Sequence, residues 1–179
     1  MSGHNKWSKI KHKKAATDAQ KSKIFSKHSS LITIESRKAK GDINSPGLVA
    51  AIERAKKDSM PKDNIDRAIA KGSGAEADKL EEVMFETYGP SGVAILITAV
   101  TDNNNRTNQE IKHLLSKSGY QLGAPGSASW AFTKTDSGYA PNSPLTISPE
   151  DEEKLADLIE KIEDLDDVQD IYTTADNIE

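Results

Sequence analysis

The first 72 residues place apolar side chains at the 3.6-residue spacing of amphipathic helices. A first helix is predicted to begin at Asp18 and to stop near Gly41, because glycine commonly ends helices. Proline favours the first helical turn, so Pro46 and Pro61 mark the beginnings of a second and a third helix. The apolar positions of these helices predict a small helical domain with a thin core: Ile24, Phe25, Leu31, Ile32, Leu48, Val49, Ile52, Ala55, Ile65, Ala68 and Ile69.

Beyond a polar linker at residues 73–80 the apolar period changes from helical to alternating. Val83, Phe85 and Thr87 alternate with polar residues, and residues 88–92 (YGPSG) have the composition of a turn. The later pattern predicts a strand at 93–100, a helix that ends near Gly119, strands at 127–133 and 144–148, a helix from Ser148 and a strand at 168–172.

When the strand around Val83 is left aside, the second half reads strand, helix, strand, strand, helix, strand. This order is typical of the ferredoxin-like βαββαβ arrangement. The sequence therefore predicts an α+β protein with an N-terminal three-helix domain and a ferredoxin-like domain. We place a basic arm and the helical domain at 1–75, and an acidic ferredoxin-like domain at 81–175 that should fold alone.

Charge divides the chain in the same way. The net charge is only −4 over 179 residues, but residues 1–75 carry 17 Lys and Arg against 7 Asp and Glu, while residues 76–179 carry 7 against 21. Such asymmetry is typical of a chain with one end that faces a polyanion. The basic half is therefore the candidate for nucleic-acid binding.

The most basic segment is KWSKIKHKK at residues 6–14, where five lysines surround a tryptophan. Lysines neutralise phosphates, and an indole can stack on an unpaired base. The alternative is a solvated basic tail with Trp7 folded onto the helical domain. We favour the nucleic-acid interpretation, with these candidate binding residues: Lys6, Trp7, Lys9, Lys11, His12, Lys13, Lys14, Lys21, Lys23 and Lys27.

Other residues with reactive chemistry have simpler interpretations. His4, His12, His28 and His113 show no metal-ligand spacing, and the carboxylates after residue 150 fit the solvated face of a helix. We therefore expect no catalytic site, no metal and no cofactor. The absence of cysteine and of a long apolar run favours a soluble cytoplasmic protein that does not enter membranes. We expect a monomer.

The segment GAPGSASW at residues 123–130 has two interpretations. Its small residues would let a partner approach the backbone closely. We favour the second interpretation, a loop that leads into a strand and places Trp130 in the core.

Seven sequence motifs together resemble the YebC/PmpR family, whose members include probable transcriptional regulators and the mitochondrial translational activator of cytochrome c oxidase. The basic opening GHNKWSKIKHKK at 3–14 is the most specific of them. The others are KIFSK at 23–27, MPKDNI at 60–65, YGPSG at 88–92, TDNNNRT at 101–107, GSASW at 126–130 and, near the C-terminus, LDDVQ at 165–169.

One departure from that family lies inside the second half. Relatives carry a third domain between the strand that ends near residue 134 and the strand at 144, where this chain has only residues 135–143. The resemblance implies a regulator of gene expression that binds DNA through its basic N-terminal domain. It also leaves open a ribosome-associated translation factor that binds ribosomal RNA.

Overall fold

The computed structural model describes residues 17–75 and 77–176 of the chain. The described residues form two compact units, a helical unit within Ala16–Val83 and Val100–Asn104, and a sheet unit within Met84–Ala99 and Asn105–Glu179. The elements in chain order are α1 (Asp18–Ala39), α2 (Pro46–Lys57), α3 (Lys62–Lys71), β1 (Glu81–Tyr88), β2 (Ala94–Thr101), α4 (Asn104–Lys117), β3 (Phe132–Thr135), β4 (Gly138–Pro141), α5 (Pro149–Glu163) and β5 (Val168–Thr173).

The three predicted helices of the first part are confirmed. A capping box begins α1, in which the Thr17 hydroxyl accepts from the Gln20 amide and the Gln20 side chain accepts from the Thr17 amide. Lys40 ends the same helix in the left-handed conformation, one residue before the predicted stop. The buried cluster between the helices contains Ile32, Leu48, Ala51, Ala55, Met60, Ile65 and Ala68.

Polar contacts fix the long helix α1 against α3. The hydroxyls of Thr33 and Ser36 donate to the carbonyls of Ala68 and Ile69, at 3.2 and 2.8 Å. Both carbonyls lie in the last turn of α3, where a helix leaves its carbonyls without intrahelical partners. Part of the predicted linker also packs here, because Ala77 is fully buried and its carbonyl accepts from Arg37.

Strand β2 is the centre of a three-stranded sheet with the order β1-β2-β5. It pairs antiparallel with β5, so that Leu96 lies opposite Tyr172. Strands β3 and β4 form a separate antiparallel hairpin. This hairpin and the turn before it cover one face of the sheet, in a cluster that contains Ala94, Leu96, Ala128, Ala131, Phe132 and Tyr172.

Helix α5 lies against the opposite face of the sheet. Ile95 points away from Leu96 because successive side chains of a strand alternate between faces. A Cβ built on Gly89 would lie within 3.8 Å of side-chain atoms of Ile95, Leu155 and Leu158, so these three meet at one place. Ser148 caps α5 by accepting from the Asp151 amide, as the predicted helix start requires.

The α+β class is confirmed, but the strands differ in detail from the predicted ferredoxin-like order. The strand around Val83, which the prediction left aside, is β1 and pairs directly with β2. Residues 144–148 form no strand and make only a bridge from Leu145 to Ala175, in which the Leu145 amide donates to the Thr174 carbonyl and the Leu145 carbonyl accepts from the Asp176 amide, each at 2.7 Å. The predicted domain limits of 1–75 and 81–175 stay predictions.

The short connection at residues 135–143 is a structural element in its own right. Residues 138–141 form β4 and pair with β3 in place of a loop. No helix among the described residues has both the length and the apolar character needed to cross a membrane.

Gly138 generates a stability prediction. Its φ is 128°, and an added Cβ would lie 2.2 Å from the Tyr172 hydroxyl oxygen. We expect Gly138→Ala to lower the free energy of unfolding by about 1–3 kcal/mol, because overpacking adds to backbone strain. Urea unfolding measures this. Gly119→Ala is the matched control, since Gly119 has a φ of 85° but no atom within 4 Å of the built Cβ. Equal losses in the two variants would contradict the steric account.

Candidate nucleic-acid interface

The predicted binding residues fall on two parts of the chain. Lys6, Trp7, Lys9, Lys11, His12, Lys13 and Lys14 lie outside the described residues. Lys21, Lys23 and Lys27 lie in the first turns of α1. Lys23 and Lys27 are four residues apart and therefore share one helix face, which Lys21 does not. The structure brings together two of the three predicted residues that it describes.

Further along the helical unit, several lysines have acidic partners. Lys56 contacts Glu53 at 3.0 Å, and Lys62 contacts Asp66 at 2.7 Å. Lys38 lies between Glu35 and Glu82, at 2.8 and 2.6 Å. These pairs neutralise positive charge locally. Along the sequence, lysines are densest in residues 6–14.

Lys38 remains charged in this position. Burial alone would lower its pKa, but hydrogen bonds to Glu35 and Glu82 outweigh burial and raise the pKa above the usual 10.5. The Lys38 ammonium group pairs with Glu82 and so links α1 to β1 within the helical unit.

Of the two histidines that the structure describes, one is buried and one is exposed. His28 is buried, and its Nε2 lies 2.6 Å from Asp58 Oδ2 at the end of α2. His113 is exposed on α4. Within residues 17–75 and 77–176, no group of three or more His, Asp or Glu side chains could hold a metal ion.

A buried carboxylate that the sequence analysis did not single out organises the sheet unit. Glu86 is 6% exposed, and its two oxygens accept backbone hydrogen bonds from Gly126, Ala128 and Ser129, each at 2.7 Å. Burial raises the pKa of Glu86, but the three amides outweigh burial and the net pKa is lowered from 4.5. The carboxylate therefore fixes the turn that precedes β3.

The fixed turn presents an exposed aromatic ring. Trp130 is 70% exposed, so its predicted place in the core is wrong. Residues 127–131 do not continue the predicted strand because the Glu86 carboxylate holds their amides in a turn. The indole Nε1 donates to the Ser127 carbonyl at 2.9 Å and to the Tyr88 hydroxyl at 3.1 Å.

The turn has several other attachments to its surroundings. The Tyr88 hydroxyl donates to the same Ser127 carbonyl at 2.5 Å, and the Gly123 amide donates to the Glu86 carbonyl at 2.7 Å. The Asn142 side chain donates to the Trp130 carbonyl at 3.0 Å. The indole is thus held by its edge, and its ring face is exposed.

The alternation of β1 contained a signal for Glu86. The pattern of β1 places Val83, Phe85 and Thr87 on one face and Glu86 on the other. The turn at 126–131 covers that second face. Because a carboxylate accepts strong hydrogen bonds from backbone amides, a glutamate within a strand and the glycine-rich segment at 123–130 are the signal that the sequence contained.

Comparison with known proteins agrees with this architecture. The chain is similar to proteins named probable transcriptional regulatory protein: 48% identity over 89% of the chain for one from Petrotoga mobilis, and 52% over 75% for one from Thermotoga maritima. A solved structure of a conserved hypothetical protein from Aquifex aeolicus matches with a TM-score of 0.82 and 31% identity, over 95% of this chain and 96% of that chain.

The chain thus contains a helical unit and a sheet unit, and the sheet unit includes the turn that Glu86 holds. Family models described as TACO1/YebC protein N-terminal domain and TACO1/YebC second and third domain match residues 5–75, and residues 80–137 and 133–175. The chain belongs to the TACO1/YebC family. It spans 61% of the length of the Petrotoga protein and 54% of the Thermotoga maritima protein.

Glu86 generates a test of the fixed turn. We expect Glu86→Gln to lower the free energy of unfolding by about 1–3 kcal/mol, because one of the two acceptor oxygens becomes an NH2 group and at least one of the three backbone amides loses its acceptor. Because folding lowers the pKa of Glu86, its stabilising contribution is complete above the usual pKa of 4.5 and is lost as the pH falls through the folded-state pKa.

Urea unfolding between neutral and acidic pH measures both effects. The stability of the native chain should fall more steeply with acidification than that of Glu86→Gln. Glu153→Gln, which changes an exposed carboxylate of α5, is the control. Parallel pH profiles for the native chain and Glu86→Gln would contradict the account.

Proposed function

We propose that the protein is a non-enzymatic regulator of gene expression that binds nucleic acid through residues 6–27. The observation that carries this proposal is charge density, since these residues hold eight lysines and only one acid, Asp18. Each lysine that neutralises a phosphate releases condensed counterions, which drives binding without sequence readout. The names of the relatives support a role in regulation.

The basic segment, here residues 6–27, has two parts with different roles in this proposal. Lysines of residues 6–14 contact phosphates along the backbone of the nucleic acid. Lys23 and Lys27 add contacts from one face of α1, whose capped first turn and buried cluster give it a fixed position in the helical unit. The rigid helix sets the register, and the flanking segment supplies most of the affinity.

DNA is the first target in this proposal, in keeping with the relatives' name, probable transcriptional regulatory protein. Ribosomal RNA is the alternative, favoured by the exposed ring of Trp130, because stacking requires an unpaired base and structured RNA supplies many of them. Sequencing of nucleic acid crosslinked to the protein in cells separates the two. Discrete promoter fragments would select DNA, and enrichment of ribosomal RNA would select the ribosome.

The lysine segment should determine the salt dependence of binding. We expect simultaneous Lys9→Ala, Lys11→Ala, Lys13→Ala and Lys14→Ala to weaken binding and to reduce the slope of log K against log salt by about 0.7 to 0.9 per lost contact. Fluorescence anisotropy over a salt series measures the slope. The matched control removes the same charge from α2 and α3, through alanine at Lys56, Lys57, Lys62 and Lys71. Equal changes in both variants, or an unchanged slope, would contradict the proposal.

Trp7 should contribute stacking rather than charge. We expect Trp7→Ala to cost about 1–3 kcal/mol of binding free energy on single-stranded or looped targets, and much less on a duplex. Titrations against a single strand and the matching duplex measure the difference. Equal losses on both targets, with a lower melting temperature, would instead identify Trp7 as part of the core of the helical domain.

A further inference from the structure

Trp130 is a large and exposed aromatic residue, and hydrogen bonds fix the turn that carries it. At 70% exposure it is the most exposed of the large apolar side chains that the structure describes. It does not project from a loose loop, because the Glu86 carboxylate holds the amides of Ala128 and Ser129, the two residues directly before it. The ring is therefore presented in a defined place before any partner binds, which lowers the entropic cost of binding.

The hydrogen bonds of the indole limit what it can recognise. Its N–H already donates to the Ser127 carbonyl and the Tyr88 hydroxyl, so no donor remains for a partner. What the ring offers is its π face. A flat face without a directed hydrogen bond suits base stacking, which tolerates any sequence because every base has a π face.

The charge distribution of the sheet unit agrees with this ligand. Residues 118–149, which include the turn and the β3–β4 hairpin, contain only two charged residues, Lys134 and Asp136. Residues 150–170 contain eleven acids and two lysines, and they begin with α5 on the opposite face of the sheet. The acids of residues 150–170 thus begin on the face of the sheet opposite to the hairpin. The carboxylate beneath the turn, Glu86, is buried and bound by three backbone amides, so residues 118–149 expose little negative charge that would repel a polyanion.

We propose that Trp130 is a stacking platform for one unpaired base of the nucleic acid that residues 6–27 bind. This inference rests on the proposed function, and it assigns the sheet unit a direct part in recognition. It predicts a preference for single-stranded or looped nucleic acid over duplex, because a paired base cannot leave its stack without an energetic cost.

Affinity measurements with variants test the platform in the full chain. We expect Trp130→Ala to weaken binding to a mixed-sequence single-stranded RNA by about 5- to 150-fold, and binding to the matching duplex far less. Trp130→Phe keeps a stacking ring and should lose less. Leu145→Ala, which removes another exposed apolar side chain of the sheet unit, is the control and should bind as the native chain does. The affinity for single-stranded DNA of the same sequence shows whether the ribose 2′-hydroxyl contributes to binding.

Fluorescence reads the stacking directly. The chain contains two tryptophans, so Trp7→Phe leaves Trp130 as the only indole. Saturating single-stranded RNA should quench its emission, and saturating duplex should not. A proline-rich peptide serves as the competing ligand, because aromatic platforms also bind such segments.

The outcomes separate this inference from the proposed function. If the lysine variants weaken binding while Trp130→Ala does not and no quenching occurs, the platform is refuted and the proposed function stands. If neither set of changes alters binding, both fail. Quenching by the peptide and not by RNA would overturn the platform in favour of a protein ligand. The platform is supported if Trp130→Ala lowers the affinity for single-stranded RNA, if Trp130→Phe lowers it less, and if single-stranded RNA quenches the Trp130 fluorescence.

Discussion

The arrangement of the sheet unit depends on the buried carboxylate of Glu86. One side chain accepts from three backbone amides, which would otherwise lie unsatisfied beside the sheet. This contact turns the chain at residues 126–131, directs Phe132 into the cluster with Leu96 and Tyr172, and leaves Trp130 outside it. The same interaction therefore closes one apolar cluster and exposes one aromatic ring.

Charge is segregated at two levels in this chain. Along the sequence, lysines collect before residue 28 and acids collect after residue 150. Within the sheet unit, acids concentrate on and after α5, while the hairpin face is nearly uncharged. A polyanion that contacts the β3–β4 hairpin meets little repulsion there, whereas the acidic helix α5 would repel it.

Sequence patterns predicted the helical part well because its signals are local. Apolar spacing marks all three helices, a capping box begins α1, and a proline stands at the start of α2 and of α3. Ser148 likewise marks the beginning of α5. Predictions from local sequence patterns failed where a residue distant in the sequence determines the backbone conformation. The carboxylate of Glu86 lies about forty residues before the turn that it holds, so Trp130 looked like a core residue when read with its neighbours alone. The binding lysines were identified from composition, and most of them lie outside the described residues.

The central claim is that the basic segment and the hairpin face contact the same nucleic acid. The most direct test is ultraviolet crosslinking of the full chain to single-stranded RNA, followed by mass spectrometry of the peptides that carry nucleotide adducts. The account predicts adducts in residues 6–27 and at Trp130. Adducts confined to Pro149–Glu163, the acidic helix α5, would contradict it.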